Sequence, residues 1–294
     1  MTKKFKQVDV FSKLKYKGNP VAVFFDADDL SHEDMLQMAK WTNLSETTFV
    51  LKPTTPMASY RVRIFTPVCE LDFAGHPTIG TCFGLLELGL IPPNAEGNFI
   101  QECKSGLVEL KPIGDLNNLE TLKLRFKLPS FKIMELDNRG AILKELSKAL
   151  GNISLESIIT EPVLIDNGPK WVAIQLKTNQ HVIDVIPDTK YLKEISRKYG
   201  WTGTSVFGKN PDSNDTFELR NFAPMVDCDE DPACGSGAAS VGVYLRFFLE
   251  SQHSILRLSQ GRKILRDAEL VVHIEGKDIY VVGASVTCLS GTYS

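Results

Sequence analysis

The second half of this chain repeats features of the first half at a spacing of about 157 residues. Arg63-Ile-Phe-Thr-Pro67 returns as Arg220-Asn-Phe-Ala-Pro224, and each copy precedes a small-residue turn that opens an apolar stretch. These turns are Ala74–Gly80 and Cys234–Ser240. Two looser matches keep the same order: Asn19–Val23 with Gly168–Ile174, and Thr47–Phe49 with Ser205–Phe207. One match could arise by chance, but four in the same order predict two copies of one fold.

The two copies predict a division of the chain near its middle. The turn-rich stretch Pro112–Asn118 lies between them, so we expect an N-terminal domain over residues 1–116 and a C-terminal domain over 117–278. Alternating and β-branched runs predict strands at Phe5–Phe11, Val21–Phe25, Thr48–Leu51, Tyr60–Phe65, Leu122–Leu128, Trp171–Leu176, Phe217–Phe222, Leu270–Ile274 and from Ile279 onward. Helical patterns cover Ser31–Trp41, Pro77–Gly89, Asp137–Leu150, Asp188–Tyr199 and Ala238–Leu249.

The helix that follows the turn in each half is the most apolar of that half. The helix predicted from Ala238 is apolar nearly all round, which indicates burial on every side. A buried helix among short strands, found twice, favours a sheet wrapped around a central helix in each half.

Composition excludes several classes of function. Lys and Arg number 33 against 36 Asp and Glu, a net charge of −3, so no overall positive field would attract nucleic acid or an anionic membrane. The longest apolar run, Val21–Phe25, is far shorter than the roughly 20 residues of a membrane span. The six cysteines and five histidines form no Cys-x-x-Cys or His-x-x-x-His pattern. We therefore expect a cytoplasmic protein without a disulfide framework, structural zinc, metal or organic cofactor.

The two glycine-containing turns are candidate anion sites, because a helix N-terminus presents unpaired N–H groups and a partial positive charge. Gly75 and Gly235 lie in the turns just before these helices. Polar residues lie in or beside the same turns: His76, Asp231 and Ser236. This placement favours contact with a small acidic metabolite, although the glycines could also serve only tight packing. Glu46 lies between a helix and a strand, where spacing alone does not distinguish it from a surface charge.

Four segments together resemble the PhzF family of phenazine-biosynthesis-like isomerases. They are Gly18–Val23, Asn43–Phe49, Phe73–Thr78 and Asp231–Gly237, and the resemblance runs from Phe5 to the C-terminus. It implies the diaminopimelate-epimerase-like α+β fold, with two pseudo-symmetric domains, each a β-barrel-like sheet around a central helix. It also implies that the C-terminal strand, residues 279–294, returns to the first domain and that the active site lies between the domains.

The resemblance further implies isomerisation by proton transfer without a cofactor, and a homodimer. Carried onto this sequence, Glu46 is the general acid/base. His76, Asp231 and Ser236 position the substrate, and Gly75 and Gly235 contribute backbone N–H groups. A buried carboxyl group with a raised pKa suits such chemistry.

Three other functions compete with this interpretation. A two-thiol racemase would need an opposed cysteine pair, and Cys234 has Ala74 as its counterpart. Cys234 is either a vestigial or small packing residue, or a thiol whose place near a helix start could lower its pKa and make it oxidisable. A serine hydrolase could use Ser236, His76 and Asp231, but Gly-x-Ser-x-Gly is absent. A non-catalytic protein that binds a metabolite or another protein is the third alternative, because a fold does not establish turnover.

Overall fold

The computed structural model describes residues 2–294, which form two compact units. The first unit spans the chain up to Lys127 together with Val282–Ser294, and the second spans Leu128–Val281. No helix in residues 2–294 combines the length and apolarity of a bilayer span.

The strands and helices are interspersed along the chain. The strands are β1 (Lys3–Val10), β2 (Asn19–Phe24), β3 (Glu46–Leu51), β4 (Tyr60–Phe65), β5 (Glu70–Leu71), β6 (Phe99–Cys103), β7 (Gly106–Ile113), β8 (Lys123–Lys127), β9 (Lys132–Met134), β10 (Val163–Asp166), β11 (Lys170–Leu176), β12 (Gly203–Lys209), β13 (Thr216–Ala223), β14 (Cys228–Asp231), β15 (Ile255–Gln260), β16 (Ala268–Glu275) and β17 (Asp278–Tyr293). The helices are α1 (His32–Thr42), α2 (Gly75–Glu87), α3 (Arg139–Ala149), α4 (Asn179–Ile183), α5 (Thr189–Tyr199) and α6 (Gly235–Val243).

Both units pair their strands in the same order. In the first unit, β1 is antiparallel to β2, β2 is parallel to β3, and β3 is antiparallel to β4. Strand β4 also pairs with β5 and, in parallel, with β6. Strand β6 pairs in turn with β7. In the second unit, β10 to β16 repeat this order. Strand β10 pairs with β11, β11 is parallel to β12, and β12 pairs with β13. Strand β13 pairs with β14 and, in parallel, with β15, which pairs with β16. The internal repeat in the sequence is therefore a repeat of topology.

Each unit wraps its strands around a buried helix. In the first unit α2 packs against β1, β2, β3, β6 and β8, and its residues 76–85 are buried. In the second unit α6 packs against β11, β12 and β16, and eight of its nine residues are buried. This architecture confirms the predicted α+β fold, with a barrel-like sheet around a central helix in each half.

The structure places the start of α6 earlier than the sequence pattern does. The predicted helix began at Ala238, because glycine disfavours helix, but the helix begins at Gly235. The thiol of Cys234 caps it by accepting a hydrogen bond from Gly237 N–H at 3.3 Å. Gly237 is also required for packing, because a Cβ there would lie 2.1 Å from the Asn221 amide nitrogen. After Val243 the chain continues as one π-helical turn, Tyr244–Phe248.

The unit boundary also differs from the predicted one. The turn-rich stretch near residue 116 connects β7 to β8, which pair as an antiparallel hairpin. Residues up to Lys127 consequently stay with the first unit. At the other end, Lys3–Val10 of β1 pairs with Ser285–Tyr293 of β17, which holds the C-terminal residues in that unit. A polar turn alone does not distinguish a hairpin from a domain linker.

Several strands carry no clear sequence signal. The pattern left out β5, β6, β7, β9, β10, β12, β14 and β15, and the short helix α4. The clearest example is β14, whose sequence Cys-Asp-Glu-Asp has poor strand propensity. It is a strand because it pairs with β13, so its structure comes from its neighbour.

An arginine–glutamate pair joins the same two strands in each unit. Arg63 on β4 contacts Glu70 on β5 through Nε–Oε1 at 2.7 Å and a second nitrogen–oxygen contact at 2.8 Å. Arg220 on β13 contacts Glu230 on β14 in the same two-fold manner, at 2.9 and 2.7 Å. The side chains of the second pair are only 4% and 9% exposed, against 27% and 18% for the first.

These matched pairs predict different stability losses. Glu230→Gln leaves the buried Arg220 charge without its carboxylate, so we expect the free energy of unfolding to fall by about 3–5 kcal/mol. Glu70→Gln breaks the more exposed pair, and we expect a loss of about 1 kcal/mol. Urea denaturation of both variants and the wild type measures this difference. Equal losses would contradict the argument from burial.

Candidate functional site

In the first unit, two predicted site residues lie at the start of α2. The helix begins at Gly75 after Ala74, which makes no side-chain cap, so the first-turn N–H groups receive no capping bond from that residue. A Cβ at Gly75 would lie 2.9 Å from Cζ of Phe126, which explains the glycine there. His76 follows in the first turn and is 7% exposed. The turn therefore presents backbone donors next to a buried imidazole.

Glu46 is the first residue of β3, and its side chain approaches His76. Glu46 Oε2 lies 3.5 Å from His76 Nε2, and the glutamate side chain is 18% exposed. Oε2 is buried and accepts no hydrogen bond from the described residues 2–294. Burial raises the pKa of Glu46 to about 7, and a hydrogen bond from Ser45 offsets part of that rise. A carboxyl group with such a pKa can both take and return a proton near neutral pH.

A polar network extends from Ser45 into the β1–β2 connection. Ser45 Oγ donates to Oδ1 of the buried Asn19 at 3.4 Å. The adjacent Gly18 N–H donates to Oδ2 of the buried Asp9 at 3.1 Å. The site prediction omitted Ser45, Asn19 and Asp9. Ser45 and Asn19 lie inside the segments that carry the family resemblance, so that resemblance could have identified them.

In the second unit, the residues Asp231–Gly235 form a rigid turn before α6. Asp231 Oδ1 accepts a hydrogen bond from Ala233 N–H at 2.9 Å. The buried Gln260 side chain holds both ends of the turn, donating to the Asp231 carbonyl at 2.7 Å and accepting from Cys234 N–H at 3.1 Å. The Asp231 side chain is half-buried and Gly235 begins the helix. These contacts bring Asp231, Gly235 and Ser236 together at one helix end.

The thiol at the start of α6 does not have the lowered pKa that its place at a helix end suggested. Burial raises the pKa of Cys234 well above its ordinary value, and the nearby Asp231 charge adds to this rise. Desolvation outweighs the hydrogen bonds from Ser236 and from the Gly237 backbone, which act in the opposite direction. Cys234 is therefore a protonated packing and capping residue, and the expectation of an oxidisable thiol is wrong.

Ser236 is bound to the β10–β11 hairpin as well as to its own helix. Trp171 Nε1 donates to Ser236 Oγ at 3.0 Å, and Cys234 Sγ lies 3.4 Å from the same oxygen. Asn167 Nδ2 donates to the Ser236 carbonyl at 2.8 Å. Neither an indole nor a protonated thiol can take the serine proton as a base, so these neighbours do not make Ser236 a nucleophile.

The repeat places a carboxylate in the first unit and none at the equivalent position of the second. Strand register sets the equivalence, because Phe49 is opposite Arg63 and Val206 is opposite Arg220. The counterpart of Glu46 is therefore Gly203. A Cβ at Gly203 would lie 2.1 Å from the Phe222 carbonyl oxygen and 2.8 Å from the Trp171 ring, so no side chain fits.

The same register corrects one of the looser sequence matches. Thr47–Phe49 corresponds to Thr204–Val206, one residue earlier than the matching letters suggested. At the helix starts, Ala74 and Cys234 are the equivalent N-cap residues. A thiol pair built on this repeat is absent, since one of its two positions is alanine.

The described residues contain no group of three or more His, Cys, Asp or Glu side chains arranged to hold a metal ion. The chemistry available in the first unit is therefore that of Glu46, His76 and the backbone donors of α2. In the second unit it is that of Asp231, Ser236 and the backbone donors of α6.

Comparison with known proteins places this geometry in a family. The family model PhzC-PhzF, phenazine biosynthesis-like protein, matches residues 8–291. The chain is 47% identical to Antisense-enhancing sequence 1 of Schizosaccharomyces pombe, covering 98% of this chain and 97% of that protein. It is 32% identical to trans-2,3-dihydro-3-hydroxyanthranilate isomerase of Pseudomonas chlororaphis, covering 90% and 85%.

A solved structure agrees with the fold. The Bacillus anthracis phenazine biosynthesis protein of the PhzF family matches with a TM-score of 0.85 at 21% identity, over 100% of this chain and 99% of that chain. Because the family model matches nearly the whole chain and a 32% identical relative is matched over most of its length, the chain belongs to the PhzC-PhzF family of phenazine biosynthesis-like proteins.

Proposed function

We propose that this protein is an isomerase that moves a proton on a small carboxylate-bearing metabolite, with Glu46 as the general acid/base. The observation that carries the proposal is the Glu46 carboxyl group itself. It is buried, one oxygen lies 3.5 Å from His76 Nε2, and burial raises its pKa to about 7. A buried carboxylate with no ion-pair partner of fixed charge destabilises a fold, so its presence favours a chemical role.

The relatives support the reaction class. The Pseudomonas chlororaphis relative is named an isomerase, and the compound in its name carries a carboxylate and a partly saturated ring. Moving a hydrogen between carbons of such a ring requires a group that removes a proton and returns it. Glu46 can perform both steps, first as carboxylate and then as carboxylic acid. The proposed transfer needs no metal or organic cofactor, because the carboxyl group carries the proton itself.

The remaining predicted residues take part as substrate-binding groups in this proposal. His76 fixes the orientation of Glu46 and offers a ring nitrogen to the substrate. Gly75 and Gly235 supply backbone N–H groups at the starts of α2 and α6, which suit a carboxylate or a developing negative charge. Asp231 and Ser236 offer polar groups for substrate binding at the start of α6. We also propose that the protein acts as a cytoplasmic homodimer, for which light scattering tests the oligomeric state.

A second candidate function is metabolite binding without turnover. The 47% identical relative is named Antisense-enhancing sequence 1, a name that states no reaction. The buried, titratable Glu46 favours catalysis, since a binding scaffold gains nothing from that cost. Incubation with a metabolite extract separates the two functions, because an isomerase changes a compound and a scaffold only retains one.

Glu46→Gln tests the base directly. It keeps the size of the side chain and removes its basicity, so turnover of the responding compound, beginning with trans-2,3-dihydro-3-hydroxyanthranilate, is expected to fall about 10²–10⁴-fold. The matched control is Glu218→Gln. Glu218 is also buried and burial raises its pKa to about 7, but it contacts Arg262 in the second unit and has no assigned role. Turnover of the control should stay within about threefold of wild type; the same result for Glu46→Gln would refute the assignment.

Ser45→Ala tests whether Glu46 controls the pH profile. The Ser45 hydrogen bond lowers the pKa of Glu46, so its loss raises that pKa further. Because the reaction begins with the carboxylate, kcat/KM should rise with pH through about 7 in the wild type. In the Ser45→Ala variant we expect this rise of kcat/KM to occur at higher pH. In the Glu218→Gln variant it should occur at the same pH as in the wild type. If Ser45→Ala leaves the pH at which kcat/KM rises unchanged, the titrating group is not Glu46.

A stability measurement checks the burial of Glu46 without any substrate. Burial raises the pKa of this group from 4.5 to about 7, so the folded protein holds the proton more tightly than the unfolded chain. The contribution of Glu46 to the free energy of unfolding should therefore fall as the pH rises from 4.5 to about 7. The difference is at most about 3 kcal/mol.

Glu46→Gln removes this dependence. The free energy of unfolding of the variant minus that of the wild type should be larger at pH 8 than at pH 4.5. Urea denaturation of both proteins at the two pH values measures this difference. An unchanged difference between the two proteins across this range would show that Glu46 titrates as an ordinary exposed glutamate.

A further inference from the structure

Trp171 connects β11 to the first turn of α6 through a half-buried hydrogen bond. Its Nε1 donates to Ser236 Oγ at 3.0 Å, and the residue is only 2% exposed. The indole packs in one cluster with Ala223 and the N-cap residue Cys234. Because little solvent reaches the tryptophan side chain, the bond has little competition from water.

The hairpin that carries Trp171 also holds the main chain of Ser236. Asp166 pairs with Lys170, and Asn167 lies in the turn between them. Asn167 Nδ2 donates to the Ser236 carbonyl at 2.8 Å and to Ser240 Oγ at 3.1 Å. The same short segment thus fixes both the backbone and the hydroxyl of Ser236.

The direction of the Trp171 bond determines what Ser236 can offer. An indole nitrogen only donates, so the Ser236 oxygen must be the acceptor. The serine has one hydroxyl proton, which remains available to an acceptor. Its present neighbour is Cys234 Sγ at 3.4 Å, and sulfur is a weak acceptor. An oxygen of a carboxylate would accept that proton more strongly.

Trp171 also accounts for the difference between the two copies of the repeat. Its ring occupies the space beside Gly203, the counterpart of Glu46, with Cζ3 at 2.8 Å from a Cβ built there. In the first unit a carboxylate approaches the second residue of the central helix, His76, at 3.5 Å. In the second unit an indole approaches the equivalent residue, Ser236. The second copy therefore presents a fixed donor in place of a proton carrier.

We propose that Trp171 is a positioning residue that holds Ser236 as a hydrogen-bond donor to an oxygen of the substrate's carboxylate. This inference rests on the proposed function for the class of substrate. It gives Ser236 the task of recognising a carboxylate at the start of α6.

Trp171→Phe tests the role, because it removes the indole N–H and keeps an aromatic ring. The probe is 3-hydroxyanthranilate, an aromatic carboxylate that lacks the ring hydrogen to be moved, with affinity measured by titration calorimetry. We expect Trp171→Phe to weaken binding about three- to tenfold, the effect of one lost hydrogen bond.

Trp201→Phe is the matched control. Trp201 is in the same unit, is also 2% exposed, and its Nε1 donates to the buried Ser196 Oγ at 2.8 Å. This variant should lose stability without losing affinity for the probe. Equal affinity losses in both variants would show a general packing effect and overturn the proposal.

A double-variant cycle separates positioning from packing. If Trp171 acts through Ser236, Trp171→Phe should change affinity less than about twofold in a Ser236→Ala background. In ¹⁵N spectra, the Trp171 indole signal, identified by its loss in Trp171→Phe, should move on addition of the probe while the Trp201 signal stays. A full affinity loss in the Ser236→Ala background, or an unmoved Trp171 signal, would refute the mechanism.

These measurements do not depend on turnover. If Trp171→Phe selectively weakens binding of the probe, the positioning role is supported even when Glu46→Gln keeps its activity. Retained activity of Glu46→Gln would refute only the proton-transfer assignment. Conversely, a loss of turnover in Glu46→Gln with unchanged binding in Trp171→Phe refutes the positioning role alone. Failure of the wild type to bind 3-hydroxyanthranilate at millimolar concentration would overturn the proposed ligand class.

Discussion

The close contact between each central helix and the strands around it is the constraint on which both units depend. A Cβ at Gly80 of α2 would lie 2.5 Å from a side-chain carbon of Val21, and one at Gly242 of α6 would lie 2.8 Å from a side-chain carbon of Val272. Helix and strands can approach this closely only because these residues have no side chain. The contact buries the helices on nearly every side, so their polar starts are the parts left for chemistry. The same packing holds Gly75 against Phe126 and thereby fixes the first turn, where His76 lies.

The repeat contains two helix starts of similar shape that carry different polar residues. The first copy has Glu46 close to His76, whereas the second has Gly203 with Trp171 above it and Ser236 as the partner. Each arrangement excludes the other at its own position, because the indole fills the space that a side chain at Gly203 would need. A symmetric pair of proton carriers, as a two-thiol racemase requires, is incompatible with Ala74 at the N-cap of α2 and with a Cys234 thiol that burial keeps protonated.

The Glu46 carboxyl group shows how a functional site lowers stability. Its burial raises its pKa to about 7, which means that the fold works against its ionisation at neutral pH. A hydrogen bond from Ser45 to the carboxylate offsets part of that cost. The charged groups of a structural ion pair differ: the side chains of Arg220 and Glu230 are even less exposed than that of Glu46, and they satisfy each other at two contacts. The contrast between a buried pair of opposite charges and a buried carboxyl group beside a titratable histidine separates the structural residues from the candidate catalytic one.

The sequence by itself determined the duplication, the two apolar helices and the motifs that hold Glu46, His76, Asp231 and Ser236, since periodicity and residue type are local properties. It did not determine β14, whose acidic residues form a strand only through pairing with β13. It also could not show that Glu46 is buried, that Cys234 is desolvated or that Trp171 donates to Ser236. These features depend on contacts between residues far apart in the chain, and electrostatic environment follows from those contacts. Tertiary structure therefore decided the pKa values and hydrogen-bond directions, because burial and strand register exist only once the chain has folded.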